Sequence, residues 1–599
     1  MREAKMDRIA DLVKGYTGPN PFSDSQGRNF SDEKVSSEFF PISKFWSLFN
    51  NQHEVLLGTR GSGKTFLLKM MRHSMLKKID DSNARRLVEK GDFFALYVPM
   101  HLEFVKSIPE DNVTESTQTT LFQIAFNSIL AHSLIDEVRA KLSDEEDTFI
   151  KLEKSARLAN LLDKIWFNKT ESSINSLSEL SIAISTFYYT LPKSKEGIAL
   201  APPVFKQAIC TSLISVKEIV EEILELHSPT WIICVDEAEF LNETLQKCLN
   251  SVFRSDSNRI ALKVATLPFF HTTLETTEPG IYVDPHNDFN YRVVDMDYDS
   301  FDFVQLTNKL CQSRLSLLQT PPTSLEDFLG VIGNDNLIDY YREEVGEERS
   351  QREYIEDDMI TMFGEVRRRG SSNYSDRRKT VYDKFAPIYY TRKMYTISKS
   401  GNSVPGWFAG ANTVRKVAQG NPRVFIQLMN NLFEAARETV LMPKAQHRVV
   451  MEFSKNICDA TQSLEKRGPN VKTYLDRIAK QLKNKVHSGD LISVGSSFTI
   501  KYKDDASFDR YKEEWLHCAI AYLRLTIDDA SKINGLKKDT VYTLANTYAV
   551  AYWLPLRKDI NRRIDVDEDS SIVVTDENIA LSDPDQLSLF EEVPNAKAL

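Results

Sequence analysis

The chain has 599 residues, too many for a single hydrophobic core, so roughly two to four domains are expected. Net charge is -10, from 85 acidic against 75 basic residues, which argues against coating nucleic acid by bulk charge but permits a local basic patch. Six scattered cysteines without a C-x-x-C pair argue against a disulfide framework or zinc site and suit a reducing cytoplasm. No apolar run reaches the length of a membrane span, and the start, MREAKMDRIADLVKGY, lacks the apolar stretch of a secretory signal. A cytoplasmic protein with no membrane partner is expected.

Residues 1–50 read as a lead-in. Asn20-Pro21-Phe22 is a turn, and Phe39-Phe40-Pro41-Ile42 and Phe45-Trp46-Ser47-Leu48-Phe49 bring aromatics close to the first strand. They would cover a purine ring or simply pack on a sheet. Val55-Leu56-Leu57 reads as a buried parallel strand. Gly58-Thr59-Arg60-Gly61-Ser62-Gly63-Lys64-Thr65 then fits the phosphate-binding pattern G-x-x-x-x-G-K-S/T. A helix follows, with Leu67, Leu68, Met71 and Met75 on one face. Glycine lets such a loop curl so that backbone N–H groups point at phosphate oxygens, and the helix start adds unpaired donors. Lys64 would reach the β- and γ-phosphates of ATP, and the Thr65 hydroxyl would ligate Mg²⁺.

Phe93 to Pro99 reads as a second buried strand, and residues 116–228 as an inserted helical layer without a chemical signature. Trp231-Ile232-Ile233-Cys234-Val235-Asp236-Glu237 is an apolar run ending in two acids, the pattern of a central strand delivering carboxylates to its C-terminal edge. Asp236 would hold Mg²⁺, and Glu237 would polarise the attacking water. A helix through Phe253 leads to Arg254 and Arg259, arginine-finger candidates toward a neighbouring copy in a homo-oligomer. The next strand ends at Thr266, whose hydroxyl would meet the γ-phosphate or the water.

Gly58–Thr65, Asp236-Glu237-Ala238-Glu239, the polar strand end at Thr266 and Gly420-Asn421-Pro422-Arg423 together resemble the AAA+ ATPases. The likeness is to the branch of origin-recognition and replication-initiation ATPases and to bacterial relatives near the STAND signalling ATPases. It covers about residues 20–440. It implies that Arg423, opening a lid helix, reaches the γ-phosphate as a sensor 2 residue. It also implies asparagine where Thr266 stands, so threonine here departs from the pattern and bears on hydrolysis. Bacterial ATPases of this kind often sit in mobile-element or phage-defence cassettes, where the chain would drive a separate effector protein.

Residues 335–405 interrupt the lid with a charged stretch. Arg367, Arg368, Arg369, Arg377, Arg378 and Lys379, with Tyr374 and Tyr382 interleaved, suit contact with DNA as well as a plain solvated face. Residues 441–565 mix helical stretches with a β-like segment at Ser497–Tyr502, a winged-helix-like or helical domain. The acidic end, 566–599, reads as a disordered tail. Within it Gln586-Leu587-Ser588-Leu589-Phe590 resembles the bacterial β sliding-clamp-binding peptide. The expected fold is α/β: a parallel-sheet ATPase core over 51–300, a helical lid over 301–440, and the C-terminal domain and tail. The expected function is an ATP·Mg²⁺-dependent switch near DNA, or an ATP-regulated adaptor for the clamp or DNA with little turnover.

Overall fold

The computed structural model describes Val13 and residues 16–567, apart from 26–29, 107, 110–112, 191–193, 256–258, 331–386, 389, 401–405, 465–466, 488–495, 528–534 and 557–563. Five strands form the central sheet: β1 (Glu54–Leu57), β2 (Phe93–Pro99), β3 (Thr230–Asp236), β4 (Ile260–Thr266) and β5 (Asn290–Val293). Their order is β2-β3-β4-β1-β5, and every neighbouring pair is parallel. Parallel pairs need crossovers, which place helices on both faces, so the strands read as apolar runs rather than alternations.

The two-residue period of the strands sorts those runs. Leu56, Ala95, Ile232, Cys234 and Ala265 face one layer, with α1 (Lys64–Met70) and the lead-in residues Phe30, Phe39 and Phe45. Val55, Leu57, Leu96, Val98, Trp231, Ile233, Val235, Leu262 and Val264 face the other. That second layer is the helical segment between β2 and β3, with α2 (Glu115–Leu142), α3 (Thr148–Trp166) and α4 (Leu177–Thr190). Asn127 of α2, fully buried, donates to the carbonyls of Phe205, Gln207 and Ala208 and accepts from the Ser212 N–H. Buried Trp166 closes the layer by donating its indole N–H to the Ser212 carbonyl at 2.8 Å.

α5 (Glu243–Arg254) joins β3 to β4, and α6 (Phe301–Arg314) follows β5. Then come α7 (Ala411–Ala418), α8 (Pro422–Glu438), α9 (Pro443–Ala460) and α10 (Gly468–His487). Beyond them, β6 (Ser497–Lys501), β7 (Leu525–Ile527), β8 (Tyr542–Leu544) and β9 (Ile564–Asp567) form a second sheet in the order β7-β8-β6-β9. β7–β8 and β8–β6 are antiparallel and β6–β9 is parallel. The C-terminal segment is therefore not an all-helical bundle. Residues 505–521 run as one unbroken helix, α11, π-helical over Lys512–Leu516. A short α12 (Asn546–Ala551) packs against α7 and α9. Phe425 and Leu432 of α8, Val450 of α9, Leu475 of α10, Trp515 of α11 and Tyr548 of α12 share one continuous hydrophobic core.

Candidate nucleotide-binding site

β1 ends at Leu57 and the chain turns through Gly58–Gly63 into α1. Gly61 and Gly63 take φ of +93° and +96°, a region that costs an L-residue energy and glycine none. A Cβ on Gly63 would meet nothing, so backbone conformation alone asks for glycine there. Gly61 is doubly constrained: its Cβ would lie 2.6 Å from Arg423 Cβ and 2.8 Å from Asn421 Oδ1. The start of α8 therefore rests directly on the loop. Asn421 caps α8 through the N–H groups of Arg423 and Val424, and its amide donates to the Arg60 carbonyl at 3.0 Å and the Thr59 hydroxyl at 3.3 Å. The Arg423 N–H donates to the Gly61 carbonyl at 3.3 Å.

Lys64 folds back over its own loop, donating to the carbonyls of Gly58 at 2.6 Å and Thr59 at 3.3 Å. Burial lowers its pKa, while Glu239, Asp295 and Asp236 favour the charge and Arg423 opposes it. Asp236, at the tip of β3, accepts from the Tyr97 hydroxyl at 2.7 Å and is hydrogen-bonded by Thr65. Burial pushes its carboxyl above the usual range, with Glu237 adding to that and Tyr97, Thr65 and Lys64 pulling it down. Glu237 sits at φ +59°, a strained conformation for a side-chain-bearing residue and one that clusters at functional sites. Its carboxylate lies 3.1 Å from His101 Nδ1, just beyond β2. Glu239 is half-buried with its Oε2 enclosed, and desolvation pushes its carboxyl up to about 7. Asp295 anchors the loop by accepting from the Thr59 N–H at 3.0 Å and hydroxyl at 2.9 Å.

These groups surround a cavity of about 220 Å³ at the C-terminal edge of the sheet, the edge where ligands bind in open α/β folds. Arg60 to Thr65, Asp236, Glu237, Glu239 and Arg423 line one part; Phe30, Phe39, Phe40, Ile42 and Phe66 line another. Glu38 is also on the wall, its Oε2 accepting from buried Arg314 at 2.8 Å. A triphosphate with Mg²⁺ fits this set. The Ser62 hydroxyl and Glu239 Oε2 are enclosed without a hydrogen-bond partner among the described residues. Buried polar atoms left so are costly, and a bound, hydrated phosphate–metal group would relieve them.

The sequence profile of the ORC-CDC6-like family matches residues 20–565. The chain belongs to that family. Its members are AAA+ ATPases, and the five-stranded parallel sheet with flanking helices is the core expected of one. No curated protein sequence matches the chain.

In this ORC-CDC6-like chain the residues Arg60 to Thr65, Asp236, Glu237 and Arg423, distant in sequence, meet on one cavity. Gly58 and Thr59 form the back of the loop rather than the wall. Thr266 stands differently from expectation. It ends β4, but with a strand's alternation its hydroxyl faces the helical-layer side, beside Gln246 and His271, and Leu267 takes the cavity wall. The Thr266 hydroxyl is buried without a hydrogen-bond partner among the described residues. The finger candidates, expected to face the γ-phosphate of a neighbouring copy rather than this chain's own, do not line this cavity. Arg254 ends α5 paired with Asp288 at 2.7 Å, and Arg259, at the start of β4, donates to the Ser228 carbonyl at 3.2 Å. Both lie toward the strand starts, the opposite edge of the sheet. The lead-in aromatics divide, with Phe39 and Phe40 on the cavity and Phe45 in the core. The basic residues 367–379 and the peptide 586–590 lie outside the described residues. Among the described helices none is long and apolar enough to cross a membrane.

Sequence reasoning gave no role to Glu239, Asp295, Tyr97, His101 or Asn421. Asp295 carried a usable signal: Tyr291-Arg292-Val293-Val294-Asp295 repeats, more weakly, the strand-then-acid pattern of Val235-Asp236.

Proposed function

We propose that the chain binds ATP with Mg²⁺ at this cavity and hydrolyses it slowly, so that nucleotide state sets the posture of the lid and of the C-terminal segment. The observation that supports this most is the convergence of Lys64, Thr65, Asp236 and Arg423 on one enclosed space, with the lysine ammonium resting on carbonyls that a phosphate would outcompete. Lys64 would bind the β- and γ-phosphates, Thr65 and Asp236 would hold the metal, and Glu237 would take a proton from water. The metal, when bound, neutralises charge on the phosphate oxygens. ATP binding by Lys64→Ala and phosphate release by Glu237→Gln test the assignment; two variants indistinguishable from the unaltered chain would end it.

A second reading has its own support. With Thr266 turned away, no polar side chain at the end of β4 reaches the cavity, which favours an ATP-regulated adaptor with little turnover. Family membership makes DNA the partner to try first, and the tail peptide makes the β sliding clamp the second. Copurification with the clamp, lost on Leu589→Ala/Phe590→Ala, together with turnover near zero, selects the adaptor. A phage-defence or mobile-element role, with a separate effector protein, rests on resemblance and is tested by plaque counts with and without the neighbouring genes.

A further inference from the structure

The phosphate-binding loop is gripped from a second direction, by the C-terminal segment. The Arg60 N–H donates to the carbonyl of Ala521, the last residue of α11, at 2.8 Å. The Arg60 guanidinium donates to the Tyr522 hydroxyl at 3.1 Å and lies over the Tyr522 ring, 5.3 Å from its centroid. On the other side of the same residue, the Arg60 carbonyl accepts from Asn421 of the lid. Both backbone polar groups and the side chain of one loop residue are thus held by elements outside the sheet.

Those elements are one packed body. α8, α10, α11 and α12 share a continuous core. The Asn546 N–H donates to the Gln419 side-chain carbonyl at 2.9 Å, and its side chain donates to the Lys416 carbonyl at 2.6 Å, directly before the Gly420–Arg423 motif. Next to the grip, the His517 ring stacks on Phe269 in the loop after β4, centroids 4.3 Å apart and planes 11° apart. Gly420 is pressed so closely on Met296 that its Cβ would lie 1.8 Å from that carbonyl oxygen. The lid and the C-terminal segment therefore touch the phosphate loop together, at Asn421–Arg423 and at Ala521–Tyr522.

We propose that Ala521 and Tyr522 are positioning residues of the nucleotide site: through Arg60 they hold the phosphate-binding loop, so that nucleotide binding and the docking of the C-terminal segment are thermodynamically linked. This rests on the nucleotide reading of the cavity. A loop whose αL turns are braced from outside loses less conformational freedom when phosphate arrives. Linkage is reciprocal, so whatever macromolecule pulls the 497–567 segment off the loop weakens nucleotide binding by the factor by which nucleotide resists it.

The test uses the full chain and two readouts. The first is amide hydrogen exchange at 519–525 with and without Mg·ATP, in the unaltered chain. Slower exchange both at 58–65 and at 519–525 is expected. ATP protection confined to 58–65 overturns the linkage while leaving the nucleotide site standing. No nucleotide-dependent change at either place, with no binding of a fluorescent ATP analogue, removes the nucleotide reading and this inference with it. The second readout is that analogue's affinity in Tyr522→Phe, which deletes one hydroxyl and keeps the ring. A loss of about fivefold, the worth of one hydrogen bond, is expected, together with a smaller ATP-dependent change at 519–525. A merely structural tyrosine would lower the melting temperature without altering either. Unchanged affinity and unchanged exchange in a folded Tyr522→Phe protein overturn the proposal.

Discussion

Two regions pack on opposite sides of the same sheet and differ in what their residues are for. On one side the lead-in, the loop 58–65 and the lid surround a cavity whose wall carries a lysine, buried carboxyls and enclosed polar atoms. On the other the layer from α2 to α4 fills its interior with Phe122, Phe126, Leu134, Leu162 and Trp166, and among its buried polar groups fully buried Asn127 is bonded on both sides of its amide. One region keeps polar groups unsettled where a ligand would settle them; the other settles its own. Function should track that contrast more closely than distance from the sheet.

The contrast breaks if a large change in the helical layer disturbs nucleotide binding as much as it disturbs folding. Trp166→Ala removes a fully buried ring and its 2.8 Å hydrogen bond to the Ser212 carbonyl. A loss of about 3–5 kcal/mol in unfolding free energy is expected by denaturant titration. ATP affinity of the remaining folded protein should be unchanged. Lys64→Ala should do the reverse. At about 1.5–3 kcal/mol for each charge-assisted bond to phosphate, ATP binding measured by calorimetry should weaken by roughly two orders of magnitude or more. Relieving a buried ammonium should leave the melting temperature level or raise it.

The loop and the acidic strand tip were legible in the sequence because each is a local pattern whose chemistry needs fixed residue types side by side. The sheet was legible for a similar reason, since apolar runs such as Ile232 to Val235 have few other places to go. What could not be read was assembly. Asp295 anchors Thr59 across 236 positions, and Asn421 reaches Arg60 across 361; no local spacing encodes either. The Thr266 expectation failed on one residue of strand phase, because the period of two that sorts a strand's faces sends its hydroxyl to one side and Leu267 to the other. Of the second sheet, β6 was legible as the β-like segment at Ser497–Tyr502, while β7 and β8 were hidden by brevity, with three residues each.

Asn421→Ala sharpens the comparison at the seam. It deletes the α8 cap and both bonds to the loop while leaving Lys64 and Asp236 in place. A stability loss of about 1–2 kcal/mol is expected from the cap alone. ATP affinity should fall as well, by an amount that exceeds any change caused by Trp166→Ala. Equal effects of the two variants on affinity would mean that the lid is not part of the site.

The smallest expected effect is a pH dependence carried by Glu239. Burial holds its carboxyl at about 7 in the folded chain, against an ordinary value of 4.5. The folded state therefore binds more protons than the unfolded state between those values. This group's contribution to stability is complete at the acid end and is lost as pH rises through about 7. A triphosphate brings negative charge against the same carboxyl and favours its neutral form further, so ATP binding should be accompanied by proton uptake at and above that pH. The affinity should fall by up to about tenfold for each pH unit above 7 over which the proton must be taken up. ATP's own ionisation also contributes, and Glu239→Gln separates the two: the variant keeps the nucleotide's contribution and loses the protein's. Isothermal titration in two buffers of different ionisation enthalpy counts the protons directly, and an identical count for the two proteins would show that Glu239 takes up no proton when ATP binds.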